Sequence, residues 1–373
     1  MKEIFEQYFS VIEDKRCQCD VDHKLIDVLI LIMCAVLCGL DELESIVTYG
    51  KEKLEFLNKN FFITKIPSES TLSRILNMIN GDVMAACVIN IMRELIGVNG
   101  DIIAIDGKTI CSTAKTDSVR EKLHIITAYL TNNGVTLAQL AVNEKTNEIP
   151  VLRELLGMID IKGKIITADA LHCQTETAKK IIECEGDYVI GLKANQATLH
   201  DEIKTYIDDC IADKAIKVET AQTTEKNKDR LEQRICYKAP NLDWLGSKKD
   251  WAGLRTAFAV YRKTTTQKGI SEETSYYITS LDLPPDKLLS IVREHWKIES
   301  LHWLLDVVFA EDDCRILNSN GQKTLNAFRK LAIAFHKNFI SGLNKKTKPS
   351  LKNTMFKTLL SDDLLFEIIS QQL

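Results

Sequence analysis

Two short apolar runs constrain this chain more than any other feature, because each one stops at an aspartate. Ile102-Ile103-Ala104-Ile105 leads into Asp106 and then Gly107-Lys108, and Ile165-Ile166-Thr167-Ala168 leads into Asp169. Short β-branched apolar runs of this kind read as strands. A third acid, Glu299, lies in Arg293-Glu294-His295-Trp296-Lys297-Ile298-Glu299, which reads as helix. Two strands and a helix, each delivering one carboxylate, offer oxygen ligands to hard divalent cations. A pair of such ions about 3.5–4 Å apart activates a water or hydroxyl and stabilises the leaving oxygen of a phosphodiester.

The length, 373 residues, allows two or three domains or one core with insertions. Hydrophobic content of 45% and charged content of 27% describe an ordinary globular protein. The eleven cysteines are scattered and include no Cys-x-x-Cys pair. Met1-Lys2-Glu3-Ile4-Phe5-Glu6 is charged where a secretory signal turns apolar, so a reduced cytoplasmic setting is expected. The apolar stretch Val28 to Leu40 is flanked by Asp27 and Asp41 and falls short of the ~20 residues that span a bilayer. It reads as a buried helix, with no membrane implied.

Residues 1–97 read as an all-helical N-terminal domain, with helices over Leu25–Leu40 and Asp41–Leu57. Ser68 or Ser70 is a candidate N-cap for a helix over Thr71–Ile79. That helix suits a DNA groove, but a capped packing helix is the preferred reading. From Asp101 the pattern becomes strand-like over Asp101–Ile110, Leu123–Leu130 and Val135–Val142, with a tight turn at Asn132-Asn133-Gly134. Helices at Glu148–Ile159 and Gln174–Glu185 then alternate with strands at Lys164–Ala168 and Asp187–Leu192. The fold class is α/β with a mixed sheet, a ribonuclease-H-like core by analogy, spanning 98–373. A β-rich insertion occupies about 213–282, with strands at Glu232–Lys238, Leu254–Lys263 and Thr274–Ser280, and a helical segment closes the chain.

Pro284-Pro285-Asp286 opens a long helix to about Phe309. On it His295, Glu299, His302 and Asp306 recur at i, i+4, i+7 and i+11, one face, beside an apolar face of Ile298, Leu301, Leu305 and Val308. Glu299 is expected to complete the acidic site, with His295 and His302 touching substrate. A plain polar surface face is the alternative. Rival third carboxylates are Asp306, Glu311, Asp312 and Asp313.

Net charge is −4, yet the positive charges are segregated. Cys314–Ser361 holds ten Lys and Arg and no acid, while Lys214–Lys268 holds 13 basic residues against 6 acidic ones. Two basic blocks beside a carboxylate triad suit a phosphate backbone. A solvated basic face is the alternative.

Ile105-Asp106-Gly107-Lys108, Ile166-Thr167-Ala168-Asp169-Ala170, Leu192-Lys193-Ala194-Asn195-Gln196 and the run from His295 to Val307 resemble the signature blocks of bacterial insertion-sequence transposases. The resemblance is to the ISAs-type family with its H-repeat-associated proteins, within the DDE superfamily. It extends to the N-terminal domain through His23-Lys24-Leu25-Ile26-Asp27 and Pro67-Ser68. Relatives with a tyrosine-arginine-glutamate-lysine signature differ: this chain has Val292 and His295 before the glutamate and Asp306 at the lysine position. Where the family reads His-Gly-Arg, this chain has Lys228-Asp229-Arg230.

The resemblance implies DNA cleavage and strand transfer at insertion-sequence ends. Asp106, Asp169 and Glu299 would be catalytic and hold two Mg²⁺ or Mn²⁺ ions. DNA contacts are expected from Lys108, Lys193, Arg230, Arg234, His295, His302, Arg329 and Lys330. The partners would be terminal inverted repeats and target DNA, met by a homodimer in the nucleoid-containing bacterial cytoplasm. A stand-alone metal-dependent endonuclease and a DNA-binding module with decayed catalysis stay open.

Overall fold

The computed structural model describes residues 2–17, 19, 21–110, 123–142, 148–213, 216–227, 229–344 and 347–372. Lys214, Lys228, Lys345 and Lys346 of the basic blocks and Cys111 lie outside these residues. The chain divides into two compact units that interleave in sequence. One comprises 1–100, 108–144 and 300–373, and the other 101–107 and 145–299.

The first unit is mainly helical. Its N-terminal helices are α1 (Lys2–Phe9), α2 (Leu25–Leu37), α3 (Leu43–Glu52), α4 (Leu54–Phe61), α5 (Glu69–Met78) and α6 (Gly81–Leu95). Ser68 caps α5 by accepting from the Thr71 amide, while Leu72, Ile75 and Leu76 are buried, which is the packing-helix reading. The single helix expected over Asp41–Leu57 is two, broken at Lys53. Residues Val28–Leu37 of α2 are all buried, and no single helix among the described residues is long and apolar enough to cross a membrane. Strands β2 (Leu123–Leu130) and β3 (Val135–Val142) form the expected hairpin, with Gly134 at φ +77° in its turn.

Residues 300–373 pack with these N-terminal helices. Helix α11 (Ser319–Gly342) is buried from Gly321 to Phe335 except at Lys323 and lies against α2, α5 and α6. It buries polar residues as well as apolar ones, among them Gln322, Asn326, Arg329, Lys330 and His336, so this part of the core has to supply them with polar partners. Helices α12 (Leu351–Leu360) and α13 (Asp362–Ser370) pack on it.

The second unit is a sheet with helices. Strand β1 (Ile102–Ile110) begins here, followed by α7 (Glu148–Gly157), β4 (Ile165–Ala168), α8 (Thr175–Glu183), β5 (Asp187–Leu192) and α9 (Ala197–Ala212). Then come β6 (Glu219–Asn227), β7 (Arg230–Lys238), β8 (Thr256–Thr266), β9 (Gly269–Thr279) and α10 (Pro285–Val308). The order is β1-β4-β5-β9-β8-β7-β6, with β1, β4 and β5 parallel and the rest antiparallel. The segment expected as an inserted β subdomain therefore continues the same sheet, because β9 pairs with β5. It also contains β6, a strand that sequence pattern did not suggest.

Pro285 sits at the first position of α10, where its missing N–H costs nothing. The first turns of α10 bury Leu288, Leu289, Ile291 and Val292 against Val189, Cys236, Phe258 and Val260 of the sheet. This cluster fixes where α10 runs. Leu288→Ala is expected to cost about 2–5 kcal/mol in denaturant unfolding, with α10 loosened on the sheet. A cost below about 1 kcal/mol would show that the cluster does not anchor the helix.

Candidate active site

Strands β1 and β4 bring the two aspartates side by side. Their parallel register pairs Ile105 with Ala168, so Asp106 and Asp169 are the next residues on adjacent strands. Neighbouring strands lie about 4.8 Å apart, which puts the two acids within one site. Ile103, Ala104, Ile105, Ile166, Thr167 and Ala168 are all buried, whereas Asp106 is half-buried and Asp169 exposed. Each strand thus reaches water at its acid.

Asp169 then turns the chain. Its Oδ1 accepts from the Leu171 amide at 3.1 Å and caps a 3-10 turn over Ala170–His172. The segment after β5 grips that turn. Asn195 Nδ2 donates to the Ala170 carbonyl at 2.5 Å, and Gln196 Nε2 donates to the Cys173 carbonyl at 3.0 Å. Gly191 is closely packed there too, since a Cβ would lie 3.3 Å from the Ala170 nitrogen. Leu192-Lys193-Ala194-Asn195-Gln196 therefore orients the loop that carries Asp169, a role not evident from its sequence.

Helix α10 delivers Glu299. One turn earlier, His295 Nδ1 and Thr167 Oγ1 share a hydrogen bond of 3.1 Å, tying α10 to β4 two residues before Asp169. The carboxylate oxygens of Asp106 and Glu299 approach within 4.8 Å. The three acids of the sequence reading are thus on one side of this unit, from two strands and a helix. The two carboxylates at this spacing offer oxygen donors of the kind a hard divalent cation takes.

The electrostatics agree with that fit. The Asp106 carboxyl is pushed up to about 7, first by burial and then by Glu299, with Asp169 and Glu148 adding and a Gly107 backbone hydrogen bond opposing. His295 is driven down to about 4 by burial, against the pull of Asp169 and with the help of His172. It is neutral at pH 7 and so offers no positive charge to a phosphate. Two further residues join the site without having been singled out. The buried His172 has Nε2 3.6 Å from Glu148 and 4.0 Å from Asp169. Only the acid-to-histidine spacing Asp169–His172 hinted at this in the sequence.

The remaining candidates separate into exposed and buried. Lys193 is exposed beside the Asp169 loop. Arg230 is exposed and pairs with Glu232 at 3.0 Å. Arg234 is held by Glu232 at 2.7 Å and Glu225 at 3.3 Å, and Arg293 also reaches Glu225. Much of the first basic block is similarly paired, including Lys238–Asp282 at 2.7 Å, Arg262–Glu273 at 2.6 Å and Lys263–Glu272 at 2.8 Å.

In the other unit, four candidates are turned inward. His302, Arg329 and Lys330 are buried. Arg329 bonds Asp41 at 2.7 Å and Glu311 at 3.1 Å, and Lys330 donates to Thr127 at 2.9 Å and Gln139 at 2.7 Å. Burial pulls Lys330 down to about 7. Lys108 pairs with Asp306 at 2.7 Å and also faces Glu311 and Asp312. Lys108, Arg329 and Lys330, expected to contact DNA, have internal partners instead: acids for Lys108 and Arg329, and Thr127 and Gln139 for Lys330. The rival carboxylates Asp306 and Glu311 both face Lys108.

Comparison with known proteins places the sequence in a family. A family model described as "Transposase DDE domain" matches residues 99–335, and one described as "DDE_Tnp_1-associated" matches residues 6–92. The chain is 34% identical over 384 residues to "H repeat-associated putative transposase YhhI" of Escherichia coli (strain K12), covering 99% of this chain and 98% of that protein. It is 34% identical over 363 residues to "Putative transposase YncI" of Escherichia coli O157:H7, covering 94% and 92%. Among solved structures there is a likeness to a piggyBac transposase synaptic complex with hairpin DNA, with TM-score 0.42, 11% identity and coverage of 99% of this chain and 78% of that one.

The raised Asp106 carboxyl has a consequence for stability. A group raised in the fold contributes stability below its unfolded value, near 3.8, that is lost as pH rises through about 7. In chelator-treated buffer at pH 8, Asp106→Asn should therefore melt above the unsubstituted protein. The gap should close as pH falls below 7. Equal melting temperatures at pH 8 would contradict the crowding of charge at Asp106.

Proposed function

The chain belongs to the transposase DDE-domain family, and on that footing we propose that it cleaves and rejoins DNA at insertion-sequence ends with Asp106, Asp169 and Glu299 as its catalytic carboxylates. The core would be ribonuclease-H-like, a reading supported by the parallel β1-β4-β5 order with one acid midway along β1 and another just past the end of β4. The observation that carries the proposal is the approach of the Asp106 and Glu299 carboxylates to within 4.8 Å.

Those three side chains would hold Mg²⁺ or Mn²⁺, two ions per site. When bound, such ions supply a nucleophile from water at neutral pH and offset charge on the leaving oxygen. Asp106 is central to this, since its carboxyl feels both other acids, and the affinity for a proton that results is also an affinity for a cation. Asp169 is held by its own turn and by the Asn195 and Gln196 contacts, so it enters the site already oriented. His295 acts as a neutral strut between β4 and α10. Exposed Lys193 and Arg230 are the better candidates for phosphate contacts on this unit. The substrates would be terminal inverted repeats and target DNA, engaged by a homodimer in the bacterial cytoplasm.

Asp106→Asn keeps the side-chain shape and removes the charge. Cleavage of plasmid carrying the flanking inverted repeats should fall by about 10³-fold or more in Mg²⁺, while DNA binding survives. Asp169→Asn and Glu299→Gln should behave alike, whereas His302→Ala should keep measurable cleavage. Nicking by Asp106→Asn at the unsubstituted rate would overturn the proposal.

A further inference from the structure

Helices α12 (Leu351–Leu360) and α13 (Asp362–Ser370) follow one another with only Ser361 between them, and each turns one face inward. On α12 that face is Thr354, Met355 and Thr358, and on α13 it is Leu365, Ile368 and Ile369. A helix buried on one side shows its other side to water, where polar residues are the rule. These two helices break that rule. Phe356 is 58% exposed and Leu360, one turn further along α12, is 67% exposed, while Phe366 on α13 is 42% exposed. Large apolar side chains left in water on neighbouring helices mark a surface that another molecule covers.

The charges beside them are sorted by helix. Both charged residues of α12, Lys352 and Lys357, are basic and exposed, and Lys352 lies one turn before Phe356 on the same face. All three charged residues of α13, Asp362, Asp363 and Glu367, are acidic and exposed. Asp362 is taken by Lys53 at 2.7 Å, and the Glu367 carboxylate accepts from neutral Gln371 at 3.1 Å. Asp363 and Glu367 therefore stand as exposed negative charge beside Phe366.

One helix thus offers apolar side chains with positive charge, and the next offers an apolar side chain with negative charge. Such a surface complements a copy of itself. A two-fold axis that sets α12 of one molecule on α13 of another makes the same favourable contact twice and closes on itself. DNA fits less well, since α13 would set its acids against the phosphates and the apolar side chains would stay wet.

We propose that the exposed faces of α12 and α13 form a dimerisation surface whose partner is a second copy of this chain, bound isologously and without DNA. Phe356 and Leu360 supply most of the affinity, and the sorted charges set the register. The homodimer of the proposed function is held on this surface, an assignment that rests on that reading for the number of copies and not for its chemistry.

Sedimentation velocity on the full-length protein without DNA, over a wide range of concentration, tests this. The unsubstituted protein should show a monomer–dimer equilibrium, and Phe356→Asp should weaken it by about 30-fold or more. Lys352→Glu with Lys357→Glu should weaken it by about tenfold or more, as should Asp363→Lys with Glu367→Lys. The four charge reversals combined should restore association. Asp362 is kept throughout, so the first turn of α13 retains an acid. Phe62→Asp, at a phenylalanine 73% exposed elsewhere in the same unit, should leave the dimer unchanged. Should Phe356→Asp fail to fold, the charge reversals carry the test, because restoration by the combined variant cannot come from damage to the fold. A monomer at every concentration, a dimer indifferent to Phe356→Asp, or a combined variant that stays monomeric overturns the surface. So does weaker DNA binding by the lysine reversals with association unchanged, which would give these helices to DNA. A protein that associates as described yet cleaves no DNA would sink the proposed chemistry and support the surface.

Discussion

Two carboxylates within 4.8 Å of one another repel, and the approach of Asp106 to Glu299 has to be held against that repulsion. The repulsion is visible in the Asp106 carboxyl, raised to about 7 by burial, Glu299 and Asp169. Something else has to hold the two elements in place, and it is apolar packing. Leu288, Leu289, Ile291 and Val292 of α10 are buried against Val189, Phe258 and Val260 of the sheet, two to three turns before Glu299 on the same helix. Each buried side chain of that size contributes roughly 1.5–3 kcal/mol, enough together to outweigh a single unfavourable charge contact. The site is a strained point on a well-packed frame, and strain of this kind is what a cation relieves.

Precision at such a point requires directional contacts as well as burial. The Thr167–His295 hydrogen bond joins β4 to α10, and the Asn195 and Gln196 side chains hold the Asp169 turn. Each is a polar contact between elements that sequence order does not make neighbours. The chain belongs to the transposase DDE-domain family, and the cleavage proposed for it would demand acids held ready before substrate arrives.

Much of this was legible from the residues. The apolar runs ending at Asp106 and Asp169 announced two strands of a mixed sheet, and the four-residue spacing from His295 to Glu299 placed both on one helix face. Pro285 marked the helix start. Other features had no local signal. Strand β6 reads Glu-Thr-Ala-Gln-Thr-Thr-Glu-Lys-Asn, almost without apolar residues, because it is the edge of the sheet and needs none. The basic run after Cys314 suggested a DNA face, yet Arg329 is inside, answering Asp41 from 288 residues away. Counting charges along a chain cannot show which of them a buried acid will claim. Glu148 and His172 escaped for the same reason, since their pairing beside Asp169 exists only once α7 and β4 are folded together.

The central claim is that Asp106, Asp169 and Glu299 form one cation site. Anomalous scattering from crystals soaked in Mn²⁺ tests it most directly. The account predicts density for Mn²⁺ in contact with Asp106 and shared with Glu299 or Asp169. Density held instead by Asp306, Glu311 or Asp312, or none near Asp106 at saturating Mn²⁺, would contradict it.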